Sequence, residues 1–216
     1  FSDRGCRVCD LIMFGLFKKK TFNKDHFPKI VNDLVDKMDS TQEIIIASIH
    51  SQLEEILNNW KFDLENLNPE VIDALYGYQI TCLVGFCVEE KLIKREDLLI
   101  FRKEILKTIK KKSIMNTISN TKLIEDYNQR YLDCWGDIPC LNKKFYEDIM
   151  KIYKVPNDKD KIHEIIGFLE DTSVSFALQT QTNTANVFGD KVLQKKLAKR
   201  FQKYLEEESY VSKHKK

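Results

Sequence analysis

The sequence predicts an all-α fold, and three observations predict it. Apolar residues recur at spacings of three and four along most of the chain, the period of an amphipathic helix. Glycine (7) and proline (4) are scarce among 216 residues, too few for the turns of a β-sandwich or barrel. The one β-branched run, Ile44-Ile45-Ile46, has helical spacing on both sides. Short connections make neighbouring helices antiparallel. The expected architecture is therefore one domain over 1–216, a bundle of three to four long antiparallel helices plus short ones. No internal repeat of solenoid length is visible.

Taken in order, residues 5–19 are apolar and end in Lys18-Lys19-Lys20. They read as a short helix with the basic C-terminal end that the macrodipole favours, followed by a linker to about residue 26. Pro28 suits a first helical turn. From Val31 through Leu34, Met38, Ile45, Ile49, Leu53 and Trp60 to Leu64 the apolar spacing is unbroken, so one long helix is expected, weakest at Ser40-Thr41-Gln42. Asn68-Pro69-Glu70 restarts a helix as cap, first position and first-turn acid. That helix runs to about Lys91 and carries no charge from Ala74 to Val88. A helix apolar on all sides is usually a central one. Its Gly77, Thr81 and Gly85, four apart, give one face of small residues against which a neighbouring backbone can come close.

Residues 95–118 and 121–134 show further amphipathic spacing, and Gly136 and Pro139 stop the second. A short helix is expected over 141–154, ended by Pro156. From Asn157-Asp158 onward one helix of about 50 residues, or two with a kink at Gly189, fits the pattern, with a frayed tail over 209–216. Thr172–Gly189 is uncharged yet rich in Thr, Ser, Gln and Asn. It reads as a linker or as a polar helix face inside the bundle. Buried polar groups destabilise when unpaired, so a core containing this face would be loosely held and able to open. The uncharged Ala74–Val88 stretch is its natural partner.

Charge and motifs exclude several classes of function. The net charge is +2 from 35 basic and 33 acidic residues, too balanced for a dedicated nucleic-acid binder. No apolar run reaches the roughly 18 residues of a membrane-spanning helix. The chain has none of the HExxH, GxSxG, P-loop or GxGxxG patterns, and it lacks the Glu-x-x-His of di-iron bundles. His26, His50, His163 and His214 stand apart. We expect no catalytic residue, no metal site and no cofactor.

Six cysteines form three close pairs, Cys6/Cys9, Cys82/Cys87 and Cys134/Cys140. All six are disulfide candidates, with connectivity open, although Cys82 and Cys87 lie five apart on one helix and should not pair with each other. Cys134-Trp135-Gly136-Asp137-Ile138-Pro139-Cys140 reads as a stapled interhelical turn. Trp135 is its candidate partner contact, since Trp is enriched among binding hot spots. The segment Leu11-Ile12-Met13-Phe14-Gly15-Leu16-Phe17-Lys18-Lys19-Lys20 either packs on the bundle or lies on a membrane. In the second case Leu11, Ile12, Phe14, Leu16 and Phe17 insert while Lys18, Lys19 and Lys20 meet headgroups.

Lysine outnumbers arginine 29 to 6, with 22 Ile and 13 Asn, and the first residue is Phe1. With the length and the long helices bearing uncharged stretches, these features resemble small secreted helical proteins of apicomplexan (malaria) parasites that act in host-cell traversal. The resemblance implies a secreted, non-enzymatic helical bundle whose signal peptide has been removed, with a host membrane or a host or parasite protein as partner. It rests on general character, so no functional residue is carried over. The alternative is a cytoplasmic, soluble helical interaction module or scaffold.

Overall fold

A computed structural model describes residues 24–57, 69–116, 121–134, 137–155 and 161–209, together with 22, 159 and 213. Among these residues there are seven α-helices and no strand. We label them α1 (Phe27–Leu57), α2 (Pro69–Glu89), α3 (Leu98–Asn116), α4 (Thr121–Leu132), α5 (Ile138–Ile152), α6 (Ile162–Val187) and α7 (Lys191–Lys203). Single 3-10 turns precede α1 and α3, and a π turn, Tyr204–Glu208, follows α7. The all-α expectation holds, and the boundaries described for the helices after α1 fall close to those read from the spacing. The short helix expected over 5–19 and the continuation of α1 through Trp60 to Leu64 lie outside the described residues.

Helix α2 is the central element. It packs against α1, α3, α4, α5 and α6, and nearly all of it from Val71 to Cys87 is buried. This placement follows from composition, because a helix without a polar face has nowhere else to go. Helix α1 buries a single stripe, from Phe27 through Val31, Leu34, Val35 and Met38 to Ile45, Ile49, Leu53 and Ile56. Thr41 and Gln42, read as its weak point, sit on that stripe and are also buried.

The final stretch divides in two. Gly189 adopts a left-handed φ of 70°, and the amides of Gly189 and Asp190 bond back to the carbonyls of Asn186 and Ala185. This is a Schellman closure. Asp190 then caps α7 by accepting from the Leu193 amide. The same closure ends α2 at Lys91 and α5 at Lys154, both with positive φ. Ser209, expected in a frayed tail, is buried.

The apolar residues form two clusters. One gathers the first half of α1, the second half of α2, α3 and the Phe188–Leu197 region. The other gathers the second half of α1, the first half of α2, α5 and the first half of α6. Between them α1, α2 and α6 bring uncharged polar side chains together.

Candidate functional site

That polar belt is the most distinctive interior feature, and it is built from the two uncharged stretches. Helix α2 contributes Tyr78 and Gln79, α1 contributes Thr41 and Gln42, and α6 contributes Ser173, Thr180, Gln181, Asn183 and Thr184. All but Asn183 are buried. The expected partnership of Ala74–Val88 with Thr172–Gly189 is present in the packing of α2 on α6.

Several cross-helix hydrogen bonds tie the belt. Gln42 Nε2 donates to Gln79 Oε1 at 2.8 Å, and Asn183 Nδ2 donates to Thr41 Oγ1 at 3.0 Å. The Tyr78 hydroxyl lies 2.6 Å from Asn142 Oδ1 and 2.8 Å from the Ser173 carbonyl oxygen, with one proton for the two acceptors. Its ring stacks on Phe176 at 5.2 Å. Thr180 Oγ1 and Gln181 Oε1 have no hydrogen-bond partner among the described residues. Each such buried atom costs about 1–3 kcal/mol. Beside them Leu34, Met38, Gln79, Leu83, Thr180 and Asn183 line a cavity of about 10 Å³, room for the centre of a single water and no larger ligand.

On the opposite side of α2 the approach is closer. A methyl group built on Gly77 would lie 2.6 Å from Tyr127 Cβ and 2.9 Å from the Asn128 amide nitrogen, so α4 touches the α2 backbone there. Asn128 Nδ2 donates to Thr81 Oγ1 at 2.9 Å, and Arg102 Nε donates to Asn128 Oδ1 at 2.5 Å. The small-face expectation holds at Gly77 and Thr81. It does not hold at Gly85, where a methyl group meets nothing within 4 Å.

Several ionisable groups inside the molecule are paired. The Tyr131 hydroxyl donates to Asp148 Oδ2 at 2.9 Å, and Arg130 Nη1 lies 2.8 Å from Asp148 Oδ1. Burial raises the Asp148 carboxyl above its ordinary value, against the opposite pull of Tyr131 and Arg130. His50 Nε2 lies 2.7 Å from the Tyr153 hydroxyl, joining α1 to the end of α5. The Tyr76 hydroxyl donates to Asp39. No cluster of three His, Cys, Asp or Glu able to hold a metal occurs among the described residues.

The cysteine candidates separate into two kinds. Cys134 and Cys140 are bonded, with 2.06 Å between sulfurs and 5.5 Å between Cα atoms. This staples α4 to α5, whose first turn is capped by Asp137 accepting from the Cys140 amide at 3.0 Å. Cys82 and Cys87, also taken as disulfide candidates, are free and buried. The correction has a plain cause: both lie on the central helix, where apolar neighbours surround them. Burial pushes the Cys82 thiol up to about 12 and the Cys87 thiol further still, which disfavours the thiolate at both.

Cys6, Cys9, the membrane-contact candidates Leu11, Ile12, Phe14, Leu16, Phe17, Lys18, Lys19 and Lys20, and the partner-contact candidate Trp135 lie outside the described residues. The sequence marks Thr41 and Gln42 only as the weak point of the long helix and not as part of a polar site. The available signal was two uncharged polar residues on the apolar stripe of α1, between Met38 and Ile45.

Comparison of the chain with protein-family models, with curated proteins and with solved structures finds no match in any of the three.

Proposed function

We propose that the protein is a non-enzymatic, secreted helical bundle of long antiparallel helices that acts on host membranes in cell traversal, by opening and presenting α2 to a bilayer. One observation carries this reading. Helix α2 is 21 residues long with a mean hydropathy of 1.5 over its most apolar window, and 83% of that window is buried. Polar residues such as Gln79 and Thr81 interrupt its apolar run, which is why no unbroken run marks it in the sequence, but by length and composition it is long and apolar enough to span a membrane. The core helix of a soluble protein passes the same test, and the experiment below separates the two.

The belt supports the opening step. A helix held partly through glutamine and tyrosine hydrogen bonds, with Thr180 and Gln181 atoms unpaired in the same belt, is held less firmly than in an all-apolar core. Helix α2 is uncharged from Ala74 to Val88, and its charged residues, Glu70, Asp73 and Glu89, stand towards its ends. The Cys134–Cys140 bond is of the kind that persists in oxidising compartments, which supports secretion. The parasite setting rests on the compositional resemblance.

Flotation with phosphatidylcholine and phosphatidylserine vesicles at pH 5 and pH 7, with and without reductant, tests the proposal. The expected result is a vesicle-bound fraction in which α2 resists protease. No binding to either vesicle under any of these conditions overturns it.

A second reading, a soluble interaction module, is favoured by the staple itself, which joins Cys134, just beyond α4, to Cys140 in the first turn of α5. Alanine substitution from Trp135 to Pro139 tests it. If no co-purifying protein is lost, the loop is not the contact.

A further inference from the structure

Charge is unevenly divided along the chain. Residues 191–216 hold nine Lys and Arg against three acids, a balance of +6 in a chain whose total is +2, which leaves residues 1–190 at −4. Helix α7 concentrates this excess. It has six basic residues and no acidic one in 13 positions. Leu193 and Leu197 face the core, and the lysines and the arginine stand on the exposed side. Lys196 is paired with Glu90 at 3.1 Å and Lys203 with Glu208 at 3.2 Å. Lys191, Lys195, Lys199 and Arg200 have no ion pair among the described residues. Val192 stands among them, 68% exposed.

The second half of α1 is the counterpart. From Ser40 to Leu57 its charged residues are Glu43, Glu54 and Glu55, with no Lys or Arg. All three are exposed and none has an ion pair among the described residues. Beside Glu43 stands Ile44, also 68% exposed. Each face thus carries one strongly exposed β-branched residue next to unpaired charges, of opposite sign on the two faces. At 1.5 Å per residue, Glu43 to Glu54 spans about 17 Å and Lys191 to Arg200 about 14 Å. The two rows are of similar length.

We propose that the basic face of α7 docks on the acidic face of α1 in a second copy of this chain. The contact is heterologous, because the two surfaces differ. It therefore builds rings or open chains of copies rather than a closed two-fold dimer. Between exposed charges such a contact is weak and disappears with added salt.

Sedimentation velocity of the full chain at about 50 mM and 500 mM NaCl reads the association directly. The wild type is expected to sediment as concentration-dependent oligomers at low salt and as a 25.5 kDa monomer at high salt. The triple variant K191E/K195E/K199E and the triple variant E43K/E54K/E55K are each expected to remain monomeric at both salts. Circular dichroism checks that each keeps the wild-type helix content. Mixed in equal amounts, the two variants again present opposite charges on the two faces, so association is expected to return. A monomeric wild type at low salt, either variant associating as the wild type does, or a monomeric mixture overturns the proposal. Salt-sensitive binding of the monomeric wild type to heparin or to phosphatidylserine vesicles would instead assign the α7 face to a different polyanion. The vesicle and protease readout of α2 does not depend on this contact, so the two proposals fail separately.

Discussion

Gly77 and Gly85 occupy the same helix, and a methyl group placed on each meets different surroundings. At Gly77 it meets Tyr127 Cβ and the backbone of Asn128 at under 3 Å, and backbone cannot rotate aside. Gly77→Ala is expected to destabilise the fold by about 1–3 kcal/mol, as overpacking does. At Gly85 the space is open, so Gly85→Ala should stabilise by about 0.5–1 kcal/mol through helix propensity alone. Urea midpoints of the two variants should move in opposite directions from the wild type. His50 sets a pH dependence. Burial lowers its pKa below the ordinary 6.5, and Glu54 pulls weakly the other way. Above about pH 6.5 the ring is neutral in both states and its contribution is complete. As pH falls below that value the unfolded chain binds a proton that the folded chain resists, so stability falls. Asp39 and Asp148, whose carboxyls burial raises from 3.8, give slopes of the opposite sign, which the wild type and a His50 variant share. Urea midpoints between about pH 5 and pH 7 should therefore lose more with acid in the wild type than in His50→Gln.

Among the elements, the α4–α5 corner depends on a covalent bond. The Cys134–Cys140 bridge closes a loop across a sequence separation of 6, and the chain-entropy model assigns such a loop about 2 kcal/mol. The double variant C134S/C140S should lose about that much, read as a lowered urea midpoint, and reductant should have the same effect on the wild type. The helices themselves were legible in the sequence wherever one side of each had to be apolar. The spacing located α1, α3 and α4, and Asn68-Pro69-Glu70 located the start of α2. The stops of α2 and α5 fall where they were expected, at about Lys91 and at Lys154, although the closing residue in each is a lysine in the left-handed region. Their closures depend on backbone bonds such as Leu92 to the Cys87 carbonyl. The beginning of α5 at Ile138 was missed by three residues because Pro139 read as a stop, whereas with Asp137 as cap it is a first-turn proline. The belt was half legible. Its two uncharged stretches were visible, but Gln42 bonds a residue 37 positions away and Thr41 one 142 away. Nothing local in a single sequence encodes those pairings.

At the scale of the whole molecule the question is why a chain with two good apolar clusters places polar residues between them. A paired buried amide adds little net stability over well-packed apolar groups, yet it destabilises strongly when one partner is removed. The belt therefore adds less to the union of the clusters than an apolar layer of the same volume would, and α2 crosses it. The Gln42–Gln79 pair tests this. Gln79→Leu alone leaves the Gln42 amide without its acceptor and is expected to cost about 1–3 kcal/mol. The double variant Q42L/Q79L removes donor and acceptor together with little change in volume. It should return to within about 1 kcal/mol of the wild type or exceed it. Urea unfolding of the two single variants and the double variant closes the cycle, and the coupling energy should be well above experimental error. If the belt is what allows α2 to leave the core, the double variant should also show slower amide exchange along Ala74–Val88 and a smaller vesicle-bound fraction than the wild type. A double variant that is as stable as expected but still inserts like the wild type would mean that opening starts elsewhere. The α4 contact at Gly77 would then be the next place to examine, since it covers the side of α2 that the belt does not.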